Sequence, residues 1–137
     1  MASPSHFREL DVWRQAMEVA KQVYSLTAEF PAEHRYGLSS QLQRAAVSVP
    51  SNVAEGNARG TRRDYARFVG IARGSAAELQ TQLILVQELG LGDCQAATAL
   101  IDSVESINRM LYRLQQSLNS TTSGSGDNGP RSPVPGP

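Results

Sequence analysis

Cysteine and histidine are scarce in this chain, and their scarcity limits the chemistry available to it. Cys94 is the single cysteine, so neither an intrachain disulfide nor a zinc site made only of cysteines is possible. His6 and His34 are the only histidines, and the Glu-x-x-His motif with which helical bundles build di-iron sites is absent. We therefore predict no metal and no cofactor, and we expect a reducing cytoplasm as the location.

Long apolar runs are absent as well. The longest uninterrupted run is Leu83–Val86, whereas a membrane-spanning helix needs roughly 20 residues. Residues 1–6 lack the basic and apolar regions of a secretory signal. The sequence predicts a cytoplasmic protein without a membrane partner.

Recognisable catalytic patterns are missing too. The segment 90–92 is too short for a phosphate-binding glycine loop, and no Lys-Ser/Thr pair follows it. Asp102 and Glu105 share one face of a predicted helix, but they lie opposite its apolar seam and are interpreted as solvated. Cys94 has no histidine partner in the same element. We predict that the chain is not an enzyme.

The chain does contain the pattern of a helical bundle. Aromatic residues make up only 6% of 137 residues, so one aliphatic core in one domain is expected. Apolar residues recur at spacings of three and four in four segments, and the connections are short enough for antiparallel neighbours. The fold prediction is all-α, an antiparallel up-down four-helix bundle over residues 1–118. Residues 119–137 are predicted to be a disordered tail, because their composition cannot bury enough apolar surface to offset the entropy of ordering.

The first two helices are bounded or interrupted by proline. The first is predicted over Leu10–Phe30 and ends before Pro31, because the residue before a proline is pushed out of the helical region. The second runs over residues 38–56 and contains Pro50. We interpret it as one kinked helix, and the alternative is two short helices that meet at Ser48–Pro50.

Large side chains lie on the apolar stripe of the first helix. Trp13, Met17 and Tyr24 occur there at helical spacing. We interpret Trp13 and Tyr24 as core residues.

The third helix is predicted to begin at Thr61, which can cap it, and Asp93 caps the fourth. Beside its main stripe, the third helix carries a second apolar face with Ile71, Ile84 and Leu85. A helix with two apolar faces usually has two partners, so this second face predicts self-association.

Two glycines on the third helix have an expected structural role. Gly70 and Gly74 are four residues apart and form a small patch on the helix surface. We expect this patch to allow a neighbouring helix to approach closely.

Charge is balanced overall but unevenly distributed. The chain has 13 basic and 13 acidic residues, so it is not expected to coat nucleic acid over its whole surface. Residues 35–73, however, contain seven arginines and only two acidic residues, Glu55 and Asp64.

The strongest candidate site is an arginine cluster at the turn between the second and third helices. It comprises Arg59, Arg62, Arg63 and Arg67, and Arg73 lies two turns further along the third helix. Guanidinium groups match phosphate geometry, and a helix N-terminus adds backbone donors. The cluster is therefore a candidate RNA or DNA phosphate site. Its alternative interpretation is a solvated helix end, or pairing with acidic residues of another subunit.

A second group consists of polar residues embedded in apolar helices, namely Arg44, Asn52, Glu55 and Glu78, with Arg73 nearby. They could line a ligand pocket inside the bundle. We favour a hydrogen-bonded network that fixes helix register or subunit packing, because buried charges persist only when paired.

Four segments resemble a known family. They are residues 7–13 (FRELDVW), 36–38 (YGL), 44–56 (RAAVSVPSNVAEG) and 71–79 (IARGS followed by EL). In this order they resemble the four-helix-bundle proteins encoded in intervening sequences of bacterial 23S ribosomal RNA genes, which are related to the accessory variability determinant of diversity-generating retroelements. The resemblance covers roughly residues 7–118. It implies an up-down bundle and a homopentameric ring, and the retroelement relatives bind nucleic acid and a reverse transcriptase.

Two classes of function follow from these patterns. The first, which we favour, is an oligomeric, non-enzymatic accessory protein that binds RNA or DNA phosphates through the arginine cluster. The alternative is a structural or protein-interaction module that forms a homo-oligomeric ring without binding nucleic acid. The two differ in whether the protein is retained on a polyanion in a salt-sensitive way.

Overall fold

The structure is a computed structural model that describes residues 6–123, with side chains as far as residue 120. It contains four α-helices: α1 (Asp11–Thr27), α2 (Leu38–Ala58), α3 (Arg62–Leu89) and α4 (Cys94–Ser123). Two short 3-10 turns, Phe7–Glu9 and Ala32–His34, precede α1 and α2. No strand occurs among the described residues, and the predicted all-α class is confirmed.

The helices form a closed four-helix arrangement. Each helix packs against the next along the chain, and α1 also packs against α4. Because short connections join helices that pack side by side, successive helices run antiparallel. The contacts of α3 with α2 and with α4 are the most extensive in the molecule. None of the helices within residues 6–123 has the combination of length and apolarity that crossing a membrane requires.

Local sequence signals fix the ends of α3 and the beginning of α4. The Asp64 N–H donates to Thr61 Oγ1 at 3.1 Å, so Thr61 caps α3 as predicted. Gly90 ends α3 in the left-handed region with φ of 69°, which glycine adopts without steric cost. Asp93 Oδ1 accepts from the N–H groups of Gln95 and Ala96, confirming the predicted cap of α4.

The first helix ends earlier than predicted, at Thr27 rather than Phe30. Thr27 Oγ1 donates to the carbonyl of Val23 at 2.9 Å, and Phe30 N–H donates to the carbonyl of Thr27. The Thr27 side chain shares a carbonyl with the backbone ladder, the Phe30 N–H bonds three residues back instead of four, and the chain leaves the helix as a turn. Phe30 nevertheless stays buried.

The second helix passes through Pro50 without a break, so the interpretation as two short helices is wrong. Pro50 is itself buried, together with Val49 and Val53 on the same helix. Burial of these apolar groups offsets the hydrogen bond that proline removes from the helix.

The core face of α1 differs from the predicted one. Small side chains, including Ala16, Val19 and Val23, face the other helices and are buried. Trp13 is half-buried, and Tyr24 and Met17 are 50% and 38% exposed, so the interpretation of Tyr24 as a core residue is wrong. The apolar stripe of α1 is wide enough for two orientations. The orientation that buries the smaller residues allows α1 to lie closer to the core.

The fourth helix continues to Ser123, five residues beyond the predicted bundle boundary at residue 118. Leu118 is buried, which anchors the last turns of this helix. The rest of the predicted tail, residues 124–137, lies outside the described residues.

The two glycines Gly56 and Gly74 have opposite surroundings, which yields a matched test of helix packing. A Cβ at Gly56 would lie 2.7 Å from Phe68 Cβ and 3.3 Å from the Tyr65 carbonyl oxygen, whereas a Cβ at Gly74 would meet nothing within 4 Å. We expect Gly56→Ala to lower the free energy of unfolding by about 1–3 kcal/mol, because α2 and α3 must separate. Gly74→Ala should raise it by about 0.5–1 kcal/mol.

Urea unfolding followed by far-UV circular dichroism, at one protein concentration, measures both changes. Equal effects of the two substitutions would show that contact between α2 and α3 does not require glycine at position 56.

Candidate nucleic-acid interface

The predicted arginine cluster divides between two sides of the α2–α3 corner. Arg59 pairs with Glu55 of α2 at 3.0 Å. The guanidinium groups of Arg59 and Arg67 lie 4.9 and 4.6 Å from the centre of the same ring, that of Phe68. Cation–π contacts of this kind hold each of the two groups against Phe68 near the start of α3.

Arg63 and Arg67 lie on the side of α3 that faces α4. They line a surface depression of about 670 Å³ together with Gln115 and Asn119 of α4. Arg62, in the first turn of α3, is exposed. The cap at Thr61 sets the start of the helix and therefore the face on which each of these arginines lies.

Arg73 lines a second depression between α3 and α4, of about 580 Å³. Its guanidinium lies 4.9 Å from the centre of the Tyr112 ring. Arg109 and Arg113 of α4 line the same depression. Sequence reasoning missed these two arginines, although the antiparallel pairing of α3 with α4 brings residues near 113 beside residue 73.

The side chain of Gln115 connects the two depressions. Its Oε1 accepts from Arg73 Nη1 at 2.7 Å, and its Nε2 donates to the Ala66 carbonyl at 3.0 Å. A Cβ at Gly70 would lie 2.8 Å from Gln115 Nε2, so Gly70 makes room for this side chain. The neighbour of Gly70 is therefore a side chain of α4 rather than the backbone of a closely packed helix, and Gly74 faces open space. We call the two neighbouring depressions together the arginine groove.

The arginine groove carries an excess of positive charge. The acidic residues that line it are Asp64 and Glu105. The basic residues are five arginines, namely Arg63, Arg67, Arg73, Arg109 and Arg113. Arg63 and Arg67 are four residues apart on α3, and Arg109 and Arg113 are four residues apart on α4. Like charges at this spacing lower the stability of a helix by about 0.2–0.5 kcal/mol per pair. Glu105 accepts a hydrogen bond from Gln80 at 3.1 Å.

Two buried polar atoms beside the second depression lack partners within the described residues. They are Arg73 Nε, a donor, and Asn108 Oδ1, an acceptor. Buried polar atoms are normally hydrogen-bonded, and an unpaired one costs about 1–3 kcal/mol. The groove therefore combines surplus positive charge with two buried polar atoms beneath its wall that have no partner in the described part of the chain.

The four residues predicted as a polar network are not joined to one another within one chain. Asn52 Nδ2 donates to the carbonyl and the Oγ of Ser48, and Ser48 Oγ lies 2.7 Å from Ser75 Oγ of α3. Glu78 accepts from Gln82 at 3.4 Å. Arg44 is exposed and has no hydrogen-bond or ion-pair partner in the described part of the chain. A serine–serine hydrogen bond, Ser48 to Ser75, which the sequence did not reveal, links α2 to α3 instead.

A metal site finds no support in the same region. Residues 6–123 bring no three His, Cys, Asp or Glu side chains into a group that could hold a metal ion. Cys94, at the start of α4, is exposed.

The contact between Gly70 and Gln115 can be tested by a double-mutant cycle. We expect Gln115→Ala to lower the free energy of unfolding by about 1–2 kcal/mol, because it removes the hydrogen bonds to Arg73 and Ala66. In the wild-type background, Gly70→Ala should displace Gln115. The loss of that contact should cancel most of the stabilisation that alanine gives a helix relative to glycine. In the Gln115→Ala background, the same change should be stabilising by up to about 1 kcal/mol.

Urea unfolding of the four proteins gives the coupling energy directly. Additivity of the two changes within about 0.5 kcal/mol would contradict the role assigned to Gly70.

Comparison with known proteins places the chain in a family. The solved structure of a protein of unknown function from the S23 ribosomal protein family of Bacteroides thetaiotaomicron VPI-5482 matches with a TM-score of 0.71. It shares 21% sequence identity, and the match covers 77% of this chain and 98% of that one, which shows a common fold. No curated protein was found to match this chain. The family model described as 23S rRNA-intervening sequence protein matches residues 8–113, and the chain belongs to that family.

Proposed function

We propose that this protein is an oligomeric, non-enzymatic accessory protein that binds the phosphates of RNA or DNA through the arginine groove. The observation that carries the proposal is the gathering of five arginines between α3 and α4, in a chain whose net charge is zero. Guanidinium groups bind phosphate oxygens bidentately, and counterions released from a nucleic acid favour such contacts.

The shape of the groove favours an unpaired strand over a duplex. Tyr112 is half-exposed even though the Arg73 guanidinium lies over its ring, and we expect the uncovered part of the ring to stack on a base. Arg73 and Asn108 line the same depression, so a guanidinium and an amide lie beside the ring. A single strand can bring a phosphate and a base edge to this site together, whereas the bases of a duplex are stacked and paired.

Self-association is the second part of the proposal. The resemblance to the 23S rRNA intervening-sequence proteins implies a homopentameric ring, and the exposed apolar residues Ile71, Ile84 and Leu85 support association of copies. A ring would repeat the groove once per subunit. Several weak phosphate contacts on one strand would then act together and raise the affinity.

A structural or protein-interaction module is the second candidate. Its support is the same exposed apolar surface and the zero net charge, which does not itself attract a polyanion. Its partner would be another protein, such as the reverse transcriptase bound by the retroelement relatives. This candidate requires no nucleic-acid binding.

The proposal predicts salt-dependent binding that charge reversal in the groove abolishes. Fluorescence anisotropy with labelled single-stranded RNA and DNA, titrated between about 50 and 200 mM salt, measures the affinity and its salt slope. We expect Arg109→Glu/Arg113→Glu to weaken binding roughly tenfold or more. The salt slope should fall by about 0.7 for each phosphate that the variant no longer neutralises.

The matched control is Arg35→Glu/Arg44→Glu, which changes net charge equally at exposed positions away from the groove. We expect this control to bind nearly as the wild type does. Equal weakening by both double variants would assign binding to net charge rather than to the groove. No salt-sensitive binding by the wild type would refute the nucleic-acid proposal and leave the interaction module.

A further inference from the structure

One carboxylate lies among the arginines of the second depression. Glu105 of α4 lines this depression together with the three arginines already described, and it is the one acidic residue among the described lining residues. A carboxylate repels a phosphate strand, so it lowers the affinity of a site that binds phosphates alone. Its presence favours a ligand that brings hydrogen-bond donors as well as phosphates.

Glu105 is held by an amide rather than neutralised by an arginine. Gln80 Nε2 of α3 donates to Glu105 Oε2 at 3.1 Å, and Glu105 forms no ion pair within residues 6–120. Arg109 lies four residues further along α4, which is a favourable spacing for an ion pair on a helix, yet the two do not pair. The Glu105 side chain is exposed, and a carboxylate has acceptor positions left after one hydrogen bond.

The second depression extends along α4 from Tyr112 to Glu105. These two residues are about 10 Å apart along the helix axis, and the antiparallel α3 places Arg73 beside Tyr112 and Gln80 beside Glu105. Side chains of a helix lean toward its N-terminus, so the Tyr112 ring extends from its backbone toward Glu105. A base stacked on the ring would therefore turn one edge to the carboxylate. The volume of about 580 Å³ is in the range of small-molecule sites.

We infer that the second depression reads one unpaired base, and that Glu105 makes it select guanine. The inference rests on the proposed function, because it names the nucleotide that the arginine groove takes. Guanine has two adjacent donors, N1–H and N2–H₂, on its Watson–Crick edge. The two oxygens of one carboxylate can accept from both donors and still accept from Gln80.

The other bases match this arrangement less well. Guanine O6 is an acceptor that adjoins N1–H, and Arg109, one turn from Glu105, has donors for it. Adenine has the opposite pattern, because its N1 is an acceptor that would face the carboxylate and its N6 amino group is a donor that would face the arginine. A guanine in a duplex uses the same edge for pairing, so recognition by Glu105 requires a single strand.

The experiment compares oligouridines that carry one central guanosine, inosine or adenosine. Fluorescence anisotropy with the full chain and labelled oligonucleotides measures each affinity. We expect the guanosine form to bind about tenfold more tightly than the adenosine form, because a base contact with two hydrogen bonds discriminates to about this degree. Inosine lacks only the N2 amino group of guanosine, so its affinity should fall between the two.

Glu105→Gln tests the residue itself. Glutamine keeps the size of the side chain and an oxygen that can accept from Gln80, but it replaces the second oxygen with a donor. We expect the preference for guanosine to fall to within about twofold. The affinity for the adenosine form should rise, because a negative charge has left the groove.

The matched control is Asp102→Asn, which removes one exposed carboxylate of α4 that does not line the depression. It changes the net charge as Glu105→Gln does, and it should keep the preference for guanosine. Far-UV circular dichroism checks that both variants fold.

The outcomes separate this inference from the proposed function. Equal affinities of the wild type for the guanosine and adenosine forms would overturn the inference and leave phosphate binding by the groove in place. A preference that survives Glu105→Gln, or one that Asp102→Asn also removes, would overturn it by assigning base selection elsewhere. A wild type that binds none of the oligonucleotides in a salt-sensitive way would refute the proposed function and this inference with it.

Discussion

The structure depends on how closely α3 packs between α2 and α4. On one side, Gly56 of α2 lies against Phe68 and Tyr65, where even a methyl group would meet Phe68 Cβ at 2.7 Å. On the other side, Gly70 admits the side chain of Gln115 from α4. Glycine is less favourable than alanine in an isolated helix. At Gly56 and Gly70 the absence of a side chain instead makes room for residues of the neighbouring helix. The long α3 is thereby fixed in register with both neighbours, and α1, which packs less extensively, completes the bundle.

The same register creates the arginine groove. Arg73 bonds to Gln115, and Gln80 bonds to Glu105, so α3 and α4 run past each other in a fixed antiparallel alignment. That alignment places Arg109 and Arg113 beside Arg73, although these arginines are far apart in the sequence. A neutral chain thus acquires a locally basic surface, because the packing of two helices sorts their charges onto one side. Net charge describes solubility here and says little about what this surface binds.

Local signals made most of the fold predictable, and tertiary contacts account for what was missed. The caps at Thr61 and Asp93 and the spacing of apolar residues depend on neighbours a few positions away, so sequence alone located α3 and α4. The orientation of α1 could not be read in this way, because its apolar stripe is wide and only packing selects the face with Ala16 and Val23. Arg109 and Arg113 were missed for a related reason: their partners lie on another helix. The residues grouped as a polar network share apolar surroundings in the sequence, but Glu55 bonds within α2 and Asn52 reaches Ser48.

The two proposed activities use different parts of α3, and this division makes them compatible. Its N-terminal half carries Arg63, Arg67 and Arg73 toward α4, whereas its C-terminal half carries the exposed Ile84, Leu85 and Leu89. Assembly through the C-terminal half would therefore leave the arginine groove open. Ile71 is the exception to this division, because this exposed apolar residue lies between Arg67 and Arg73 in the N-terminal half. The separation along α3 is thus the physical condition under which a ring could gather several basic grooves from subunits that are each neutral.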